Sequence, residues 1–345
     1  MSKATEEGAE ALRLPIPCHR FDPPPDRQRL GRAWQEHIAP VFSVSFQAET
    51  DLSIPIAMVS YHLGDLLVGD VIAPAHTLDR TDEMIEQQGL DHILLQFYRR
   101  GQSIVETATG TNHVLETQCV VFDLAQPVHI VAAPVDATNL VIPRALLEDQ
   151  GCKLDGLHGQ AFDHDGDPFG RLLHTFLANL VACGDLLHQH EAASTARAIV
   201  QLAGTYLRGR HAVLGNANLN ASIRVRRLIE QSLHDPNLTP SVIAVRSGMS
   251  RSALYRLFDE SGGVVAYIRD RRLMRAMRIL VRGCPGDSKR VKKLAYEVGF
   301  SDERIFQRAF RRRFGFVPSE TTSLRFGDSG REEGVSVLRT WIDSL

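Results

Sequence analysis

The C-terminal third of the chain contains the stretch AYEVGFSDERIFQRAF, residues 295–310, and its pattern repeats that of an earlier stretch, AVRSGMSRSALYRLF, residues 244–258. Each copy has an alanine, a glycine four residues later and a serine two residues after that, and the copies lie about 51 residues apart. An apolar-x-Arg-x-Phe run follows in both and is displaced by one residue in the second. A recurrence of this detail indicates two copies of one supersecondary unit.

Each part of the repeated pattern has a structural reason, and together the parts predict a helix-turn-helix unit. The small alanine lets two helices cross closely, and the glycine permits the left-handed backbone that ends the first helix. The serine, Ser250 or Ser301, is expected to cap the second helix by accepting backbone N–H groups. The four-residue spacing of the apolar residue and the phenylalanine, as in Leu254 and Phe258, places both on a buried side. A generic helical hairpin with a glycine turn is the alternative.

The exposed positions of the two second helices predict the residues that read DNA. Arginine and glutamine suit hydrogen bonding to guanine and adenine edges in the major groove, and helix N-termini can approach phosphates. The helical segment 264–281 between the copies would set the reading helices about one DNA turn, or ~34 Å, apart. Plain surface charge is the alternative for any single arginine. The predicted DNA-binding residues are Arg251, Ser252, Tyr255, Arg256, Glu303, Arg304, Gln307 and Arg308.

Charge is divided unevenly along the chain, which favours a polyanionic partner for one part only. Residues 221–326 contain 22 Lys and Arg against 10 Asp and Glu, whereas the remaining residues contain 17 against 31. The formal net charge of −2 therefore hides a basic C-terminal third. Together with the repeat, this predicts that double-stranded DNA binds there, with a solvated charged helical face as the alternative.

Residues 222–322 resemble the C-terminal DNA-binding domain of AraC/XylS-type transcriptional regulators. The stretch AYEVGFSDERIFQRAFRRRFGFVPSE, residues 295–320, is similar to that family's signature over its full length. Thr321-Thr322 depart from the usual aromatic residue and arginine, and the usual proline is absent around Gly263-Val264. The resemblance implies a transcriptional activator that responds to a small-molecule effector, works with RNA polymerase and forms a homodimer.

Residues 41–145 carry short apolar runs bounded by turn residues, a pattern that predicts a β-sandwich or barrel. Two amphipathic helices should follow, one capped at Asp167-Pro168 and one over 190–209, which cover the sheet or pair with a second subunit. The runs 121–127 and 141–144 resemble the cupin-like sensing domain of the same family. Such a domain would enclose a partly apolar effector pocket. The residues predicted to line it are His76, Phe97, Tyr98, Arg99 and Phe122.

The expected fold class is α+β with several domains, namely an N-terminal cupin-like β-sandwich or barrel with a helical pair and a C-terminal all-α domain with two helix-turn-helix units. The proline run in the first 40 residues favours an irregular beginning. The predicted divisions are an irregular lead-in over 1–40, a ligand-sensing and dimerisation domain over 41–213, a linker over 214–221, a DNA-binding domain over 222–326 and a C-terminal tail over 327–345.

Composition argues against export and membrane insertion. The five cysteines are scattered and form no CxxC pair, which favours a reducing cytoplasm over a disulfide framework or a zinc site. No apolar run approaches the roughly 18 residues of a membrane span, and the acidic N-terminus lacks the pattern of a signal peptide. We therefore expect a cytoplasmic protein with no membrane partner.

Enzymatic functions are the sharper alternatives to DNA binding. Pro17-Cys18-His19-Arg20 matches the short sequence around the acceptor cysteine of DNA alkyltransferases, but thiolate chemistry needs a folded site rather than an irregular segment. A metal-dependent cupin enzyme would need clustered His and carboxylate ligands. The histidines of the β-rich part show no such grouping: His76, His92, His113 and His129. We therefore expect no catalytic residue, metal or cofactor, while a DNA-binding regulator controlled by a protein partner or by its own abundance stays open.

Overall fold

The computed structural model describes residues 14–24, 26–47, 50–51, 53–208, 210, 225–226, 228–258, 263–282, 288–318 and 337–345. The chain forms two compact units. The first, called the sheet domain, extends to residue 215 and also includes residues 334–343 and 345. The second, called the helical domain, comprises residues 216–333 and residue 344. The predicted linker over 214–221 lies outside the described residues.

Two antiparallel sheets form the framework of the sheet domain. Their strands are β1 (Cys18–Arg20), β2 (Ser43–Ser45), β3 (Ala57–His62), β4 (Leu67–Ala73), β5 (His76–Arg80), β6 (His92–Arg100), β7 (Ser103–Thr107), β8 (Gly110–Val114), β9 (Gln118–Asp123), β10 (Val128–Ala132), β11 (Val135–Pro143) and β12 (Ala161–Asp163). The larger sheet has the order β1-β3-β4-β11-β6-β9-β12, and the smaller has the order β2-β5-β10-β7-β8. The β-rich sandwich or barrel expected from the short apolar runs is therefore present.

Helices pack against the two sheets, and a consecutive pair of them shares a core with the larger sheet. Those of the sheet domain before its C-terminal helix are α1 (Arg27–Ile38), α2 (Asp82–Gln88), α3 (Arg144–Asp149), α4 (Pro168–Cys183) and α5 (Gln189–Leu207). Asp167 caps α4, because its side chain accepts hydrogen bonds from the backbone N–H groups of Phe169 and Gly170. Leu173 of α4 and Ile199 of α5 join one buried core with the larger sheet. The predicted helical pair thus packs within its own chain.

Alternation along β6 explains the layered structure. Ile93, Leu95 and Phe97 belong to the core beneath the helices. Gln96 and Tyr98 instead line a cavity whose wall also includes residues of the smaller sheet. Because side chains of a strand point to opposite faces in turn, a strand buried on both faces has few exposed positions. The side chains of β6 therefore contribute to the core on one face and to the cavity wall on the other.

The predicted irregular lead-in over 1–40 is wrong for the part that the structure describes. Strand β1 pairs with β3, with Cys18 opposite Tyr61, and helix α1 follows. Leu30, Trp34 and Ile38 recur every four residues along α1 and are buried. Three apolar residues among charged neighbours make a weak signal in sequence, but their burial against the sheet domain stabilises the helix.

The helical domain contains the two predicted helix-turn-helix units. Its helices are α6 (Pro240–Ser247), α7 (Arg251–Leu257), α8 (Val264–Arg282), α9 (Ser288–Glu297) and α10 (Glu303–Phe314), and residues 225–226 and 228–232 are also helical. The first unit buries Leu254 and Phe258 in one core, and the second buries Phe306 and Phe310 in another, as predicted. Helix α8 contributes to both cores and so joins the units rigidly.

The predicted C-terminal tail over 327–345 carries a helix that the sequence analysis did not anticipate. This helix, α11 (Val337–Ser344), ends the chain. Residues 334–343 group with the sheet domain and not with the helical domain that precedes them in sequence. The apolar residues of α11 are spaced as on one helix face, but their partners lie far away in sequence, so no local pattern shows where the helix docks.

Candidate nucleic-acid interface and ligand cavity

The first helix-turn-helix unit has the turn and caps that its sequence predicts. Thr239 caps α6, and its hydroxyl accepts from the backbone N–H of Val242 at 3.4 Å. Gly248 ends α6 in the left-handed region, with φ of 67°, where glycine avoids the strain of other residues. Ser250 then caps α7, because its hydroxyl accepts from the backbone N–H of Ala253 at 3.2 Å.

The second unit uses a different cap from the one predicted. Gly299 makes the turn with φ of 91°, but Asp302, not Ser301, caps α10. The Asp302 carboxylate accepts from the backbone N–H of Ile305 at 2.9 Å. The expectation for Ser301 is therefore wrong, because the apolar-x-Arg-x-Phe run is displaced by one residue and the helix begins one residue later.

Helix α7 presents its predicted reading residues to solvent. Arg251, Ser252, Tyr255 and Arg256 are all exposed, on the side opposite buried Leu254. The guanidinium of Arg251 donates to the hydroxyl of Ser241 at 2.5 Å, which ties it to α6. The side chain of Arg256 makes no hydrogen bond or ion pair with another described residue, so its planar guanidinium remains available for a base edge.

The four predicted reading residues of α10 form two pairs that differ in their exposure to solvent. Arg304 and Arg308 are exposed, one turn apart. Glu303 and Gln307 are half-buried, and the amide of Gln307 donates to the carboxylate of Glu303 at 2.9 Å. This bond fixes the direction of the Gln307 amide, which leaves its carbonyl oxygen as an acceptor.

Three exposed residues outside the predicted set extend the surface of α10. Arg311 and Arg312 follow Arg308 on the exposed side, where arginines suit phosphate contacts. Ile305 is 48% exposed beside Arg304, and an exposed apolar side chain on such a helix can contact a thymine methyl group. The run of arginines directly after Phe310 in the sequence could have indicated the two arginines of this set.

Several other arginines of the helical domain serve its own packing. Arg271 is buried and pairs with Glu230. Arg272 donates to the backbone carbonyl of Leu233 at 2.9 Å and to that of Asp235 at 2.6 Å. These residues hold α8 to the end of the helical segment 228–232, so fewer arginines of α8 are available for DNA than its composition suggests.

The sheet domain encloses a cavity of about 100 Å³, called the interior cavity. Its lining combines residues of both sheets and α1 with a few polar groups: Trp34, Ser60, His76, Gln96, Tyr98 and Asn139. His76 and Tyr98, both predicted to line a pocket, therefore line the same cavity, His76 from the smaller sheet and Tyr98 from the larger. Their buried polar atoms are partnered, because Tyr98 Oη lies 2.9 Å from Ser103 Oγ and His76 Nδ1 donates to the Pro74 carbonyl at 2.6 Å.

Burial sets the protonation of those two residues. It lowers the pKa of His76, so the imidazole is neutral near pH 7 and its Nε2 is an acceptor. It raises the pKa of Tyr98 to about 12, so the phenol keeps its proton. Both side chains are therefore uncharged near pH 7, whereas Asp70, which also lines the cavity, forms an ion pair with Arg99.

The other three predicted lining residues do not line the interior cavity. Phe97 is directed into the core beneath the helices, where its ring stacks on His174. Arg99 lies on the same side of β6 and forms ion pairs with Asp70 and Asp136. Phe122 is buried and packs edge-on against Phe42. Because adjacent residues of a strand point to opposite faces, the predicted residues 97–99 do not all face one cavity.

The residues behind the enzymatic alternatives have ordinary structural surroundings. Cys18 lies in β1, and burial raises the pKa of its thiol, the opposite of what an activated nucleophile needs. His129 pairs with Asp79 at 2.6 Å on the smaller sheet. Within the described ranges, no group of three or more His, Cys, Asp or Glu residues is arranged to hold a metal ion.

Comparison with known proteins defines the class of this two-domain chain. A family model described as an AraC-binding-like domain matches residues 29–208, and a helix-turn-helix domain model matches residues 243–323. The chain therefore belongs to the AraC family of transcriptional regulators. No helix in the described part of the chain is long and apolar enough to cross a membrane.

Individual relatives agree with this assignment. The transcriptional activator NphR of Rhodococcus sp is 29% identical over 265 residues, which cover 74% of this chain and 77% of that protein. The transcriptional activator RhrA of Rhizobium meliloti (strain 1021) is 31% identical over 108 residues, or 31% of this chain and 33% of that protein. The crystal structure of the AraC-like transcriptional activator CuxR matches with a TM-score of 0.54 and 27% identity, covering 75% of this chain and 94% of that one. The predicted family, fold class and role as a transcriptional regulator are confirmed.

Proposed function

We propose that this chain activates transcription by reading DNA with α7 and α10 and that a small molecule in the interior cavity controls it. The observation that carries the proposal is the matched placement of Arg256 and Arg308. Each lies two residues after a fully buried anchor, Leu254 or Phe306, on the exposed side of the second helix of its unit. Two matched reading helices joined by one rigid helix suit two successive segments of the major groove.

The proposed roles of the exposed side chains follow from their chemistry. Arg256 and Arg308 would donate two hydrogen bonds to a guanine edge, and Gln307 would pair with an adenine edge. Arg304, Arg251 and Ser252 lie near the helix N-termini, where phosphate contacts are favoured. Tyr255 and the half-buried Glu303 would shape the fit to the groove, and Glu303 would do so by orienting Gln307.

The interior cavity is the proposed effector site. Its lining is mainly apolar, and its few polar groups, such as those of His76 and Tyr98, can orient a ligand. A ligand that binds one arrangement of the protein more tightly than another shifts the population toward that arrangement. The proposal assigns the chain no catalytic step.

The sign of regulation enters the proposal from the relatives, and RNA polymerase enters it from the family resemblance. NphR, RhrA and CuxR are each described as transcriptional activators. We extend that sign of regulation to this chain, with RNA polymerase as the contact through which it acts. The cytoplasm is the corresponding location, and free cysteines such as Cys119 and Cys152 suit a reducing compartment.

Helix α4 offers a surface for a homodimer. Three apolar residues on one side of this helix are exposed to solvent, namely Phe169, Leu172 and Phe176. We propose that a second copy of the chain covers this surface, because exposed apolar residues clustered on one helix face are typical of subunit contacts. Leu172→Glu should then shift the protein toward the monomer in analytical ultracentrifugation, and an unchanged oligomeric state would contradict the assignment.

The experiment that tests the main proposal is genome-wide mapping of bound DNA in the source cell. The parent chain should give discrete sites beside operons. Changing Arg256 and Arg308 together to Ala should abolish them while leaving the protein folded and equally abundant. Lys293→Ala, at an exposed position of α9, is the matched control and should weaken every site alike.

Salt and effector experiments separate the proposal from its alternatives. Affinity for a mapped site should fall steeply between low and physiological salt, because each Lys or Arg contact to phosphate releases counterions. Sites that persist in the double variant would move the reading function away from α7 and α10. Sites whose occupancy never changes with growth substrates would favour control by a protein partner or by abundance.

A further inference from the structure

The last residues of the chain form a helix docked on the sheet domain. Helix α11 has one apolar side, made of Leu338, Trp341, Ile342 and the adjoining Leu345, and all four are at most 4% exposed. Their spacing of three and four residues places them on one face. The helix is therefore held by burial of a continuous apolar stripe.

Aromatic and polar contacts fix the position of α11. The Trp341 ring lies 5.4 Å from the ring of His62 and 6.0 Å from that of His19. His92 Nε2 lies 3.0 Å from the carbonyl oxygen of Ile342. A carbonyl only accepts, so Nε2 carries the hydrogen and donates it. The sheet domain thereby supplies a partner to the last turn of the helix, where carbonyls lack the usual intrahelical bond.

The same helix forms part of the wall of the interior cavity. Leu338 and Ile342 line it together with Trp34 of α1 and Asn139 of β11. With α11 docked, the cavity measures about 100 Å³. An engineered apolar cavity of about 150 Å³ binds benzene, so the smaller docked cavity suits a ligand no larger than a single ring.

Two polar atoms in this wall indicate the chemistry of the ligand. Among the described residues, Asn139 Oδ1 and Trp34 Nε1 are buried and have no hydrogen-bond partner. The first can only accept a hydrogen bond, and the second can only donate one. A hydroxyl or amide group on an otherwise apolar ligand can satisfy both.

We propose that α11 is a displaceable wall of the effector cavity and that its docking and the binding of a compact, mainly apolar ligand with a hydroxyl or amide group stabilise each other. The inference rests on the proposed effector role of the cavity. A ligand gains contacts with Leu338 and Ile342 only while α11 is docked, so it shifts the helix toward the docked state. Linkage requires that docking strengthen ligand binding by the same factor. Since α11 follows the helical domain in sequence, its docking gives the cavity a covalent connection to the DNA-binding part.

The test uses the full chain, with phenol as the probe and benzene as a probe of similar size without a hydroxyl group. Phenol should slow hydrogen exchange of the peptide 337–345 several-fold and leave that of α9 unchanged. Leu338→Ala combined with Ile342→Ala should weaken phenol binding about tenfold, within the usual range of coupling between sites. Val337→Ala, on the same helix but outside the cavity wall, should bind phenol as the parent does.

Each contrary outcome is informative. Equal phenol affinity in the parent and the double variant, or unchanged exchange of peptide 337–345, overturns the role of α11. Equal binding of benzene and phenol overturns the assignment of a polar group to the ligand, and no binding of either probe overturns the site for this class. A failure of the proposed regulator function is visible separately, as an absence of mapped DNA sites for the parent chain whatever phenol does.

Discussion

The two helix-turn-helix units share one architecture but differ in what surrounds each turn and each reading helix. Open space surrounds the position of a Cβ at Gly248, whereas a Cβ at Gly299 would lie 2.0 Å from the carbonyl oxygen of Leu233. The first reading helix begins at a serine cap and the second at an aspartate cap. The shared pattern therefore reflects the backbone conformation that both turns need. The packing around each turn and the side chains that face DNA differ between the two copies.

The largest expected effect distinguishes Gly248 from Gly299, which occupy the same position in the repeat. Gly248→Ala should cost about 1–2 kcal/mol, the strain of a left-handed residue. Gly299→Ala should cost about 3 kcal/mol or more, because the same strain combines with overpacking against Leu233 and Arg272. Hydrogen exchange of peptides from α7 and α10 measures the two opening free energies separately.

Equal losses at both glycines would show that the backbone near Leu233 moves aside. Gly315→Ala is a useful control in the second unit, because Gly315 also has a positive φ, of 87°, but has open space around it. Its cost should match that of Gly248→Ala.

The next largest expected effect concerns Arg256 and Arg308 and compares how the two reading helices contact bases. Arg256→Ala and Arg308→Ala should each cost about 1–3 kcal/mol of DNA affinity if each side chain contacts a base through two hydrogen bonds. The lost discrimination should fall on different base pairs, and the two losses should add, because the residues share no partner. Fluorescence anisotropy on a panel of single-base operator variants checks both points.

A loss spread evenly over all sequences would instead make the affected arginine a phosphate contact. Lys293→Ala provides the reference for that behaviour. It should lower affinity evenly and reduce the dependence on salt concentration.

The sequence could predict what depends on near neighbours in the chain. The turns, the buried pairs such as Phe306 with Phe310, and the exposed sides of α7 and α10 all follow from local spacing. Which of two adjacent strand residues faces the cavity depends on strand register, and this is why Tyr98 lines it while Phe97 does not. The docking of α11 joins Ile342 to His92 across most of the chain. No periodicity encodes such a contact, and only the folded structure shows it.

A smaller effect tests the one reading pair that has no equivalent in the first unit. Gln307 is held by Glu303, whereas Arg251, at the position matching Glu303, is held by Ser241. Glu303→Ala should free the Gln307 amide and lower discrimination at its base pair by about 1 kcal/mol, the usual worth of such a bond. Because the change also removes a negative charge near phosphates, affinity for unrelated DNA should rise at low salt. Arg251→Ala should lower affinity for all sequences, and a loss of discrimination there would contradict the proposed division of roles.

The smallest effect tests the one-residue displacement between the copies. Asp302→Ala should cost about 0.5–1 kcal/mol of helix stability, because the backbone N–H of Ile305 loses its acceptor, and Ser250→Ala should cost a similar amount in the first unit. Ser301→Ala is the matched control and should be nearly neutral, although Ser301 is the residue that aligns with Ser250 in the repeat. Hydrogen exchange at the first turn of α7 and of α10 measures all three. A loss at Ser301 equal to that at Asp302 would mean that the second reading helix begins where the repeat places it, and the reading positions assigned to α10 would then move by one residue.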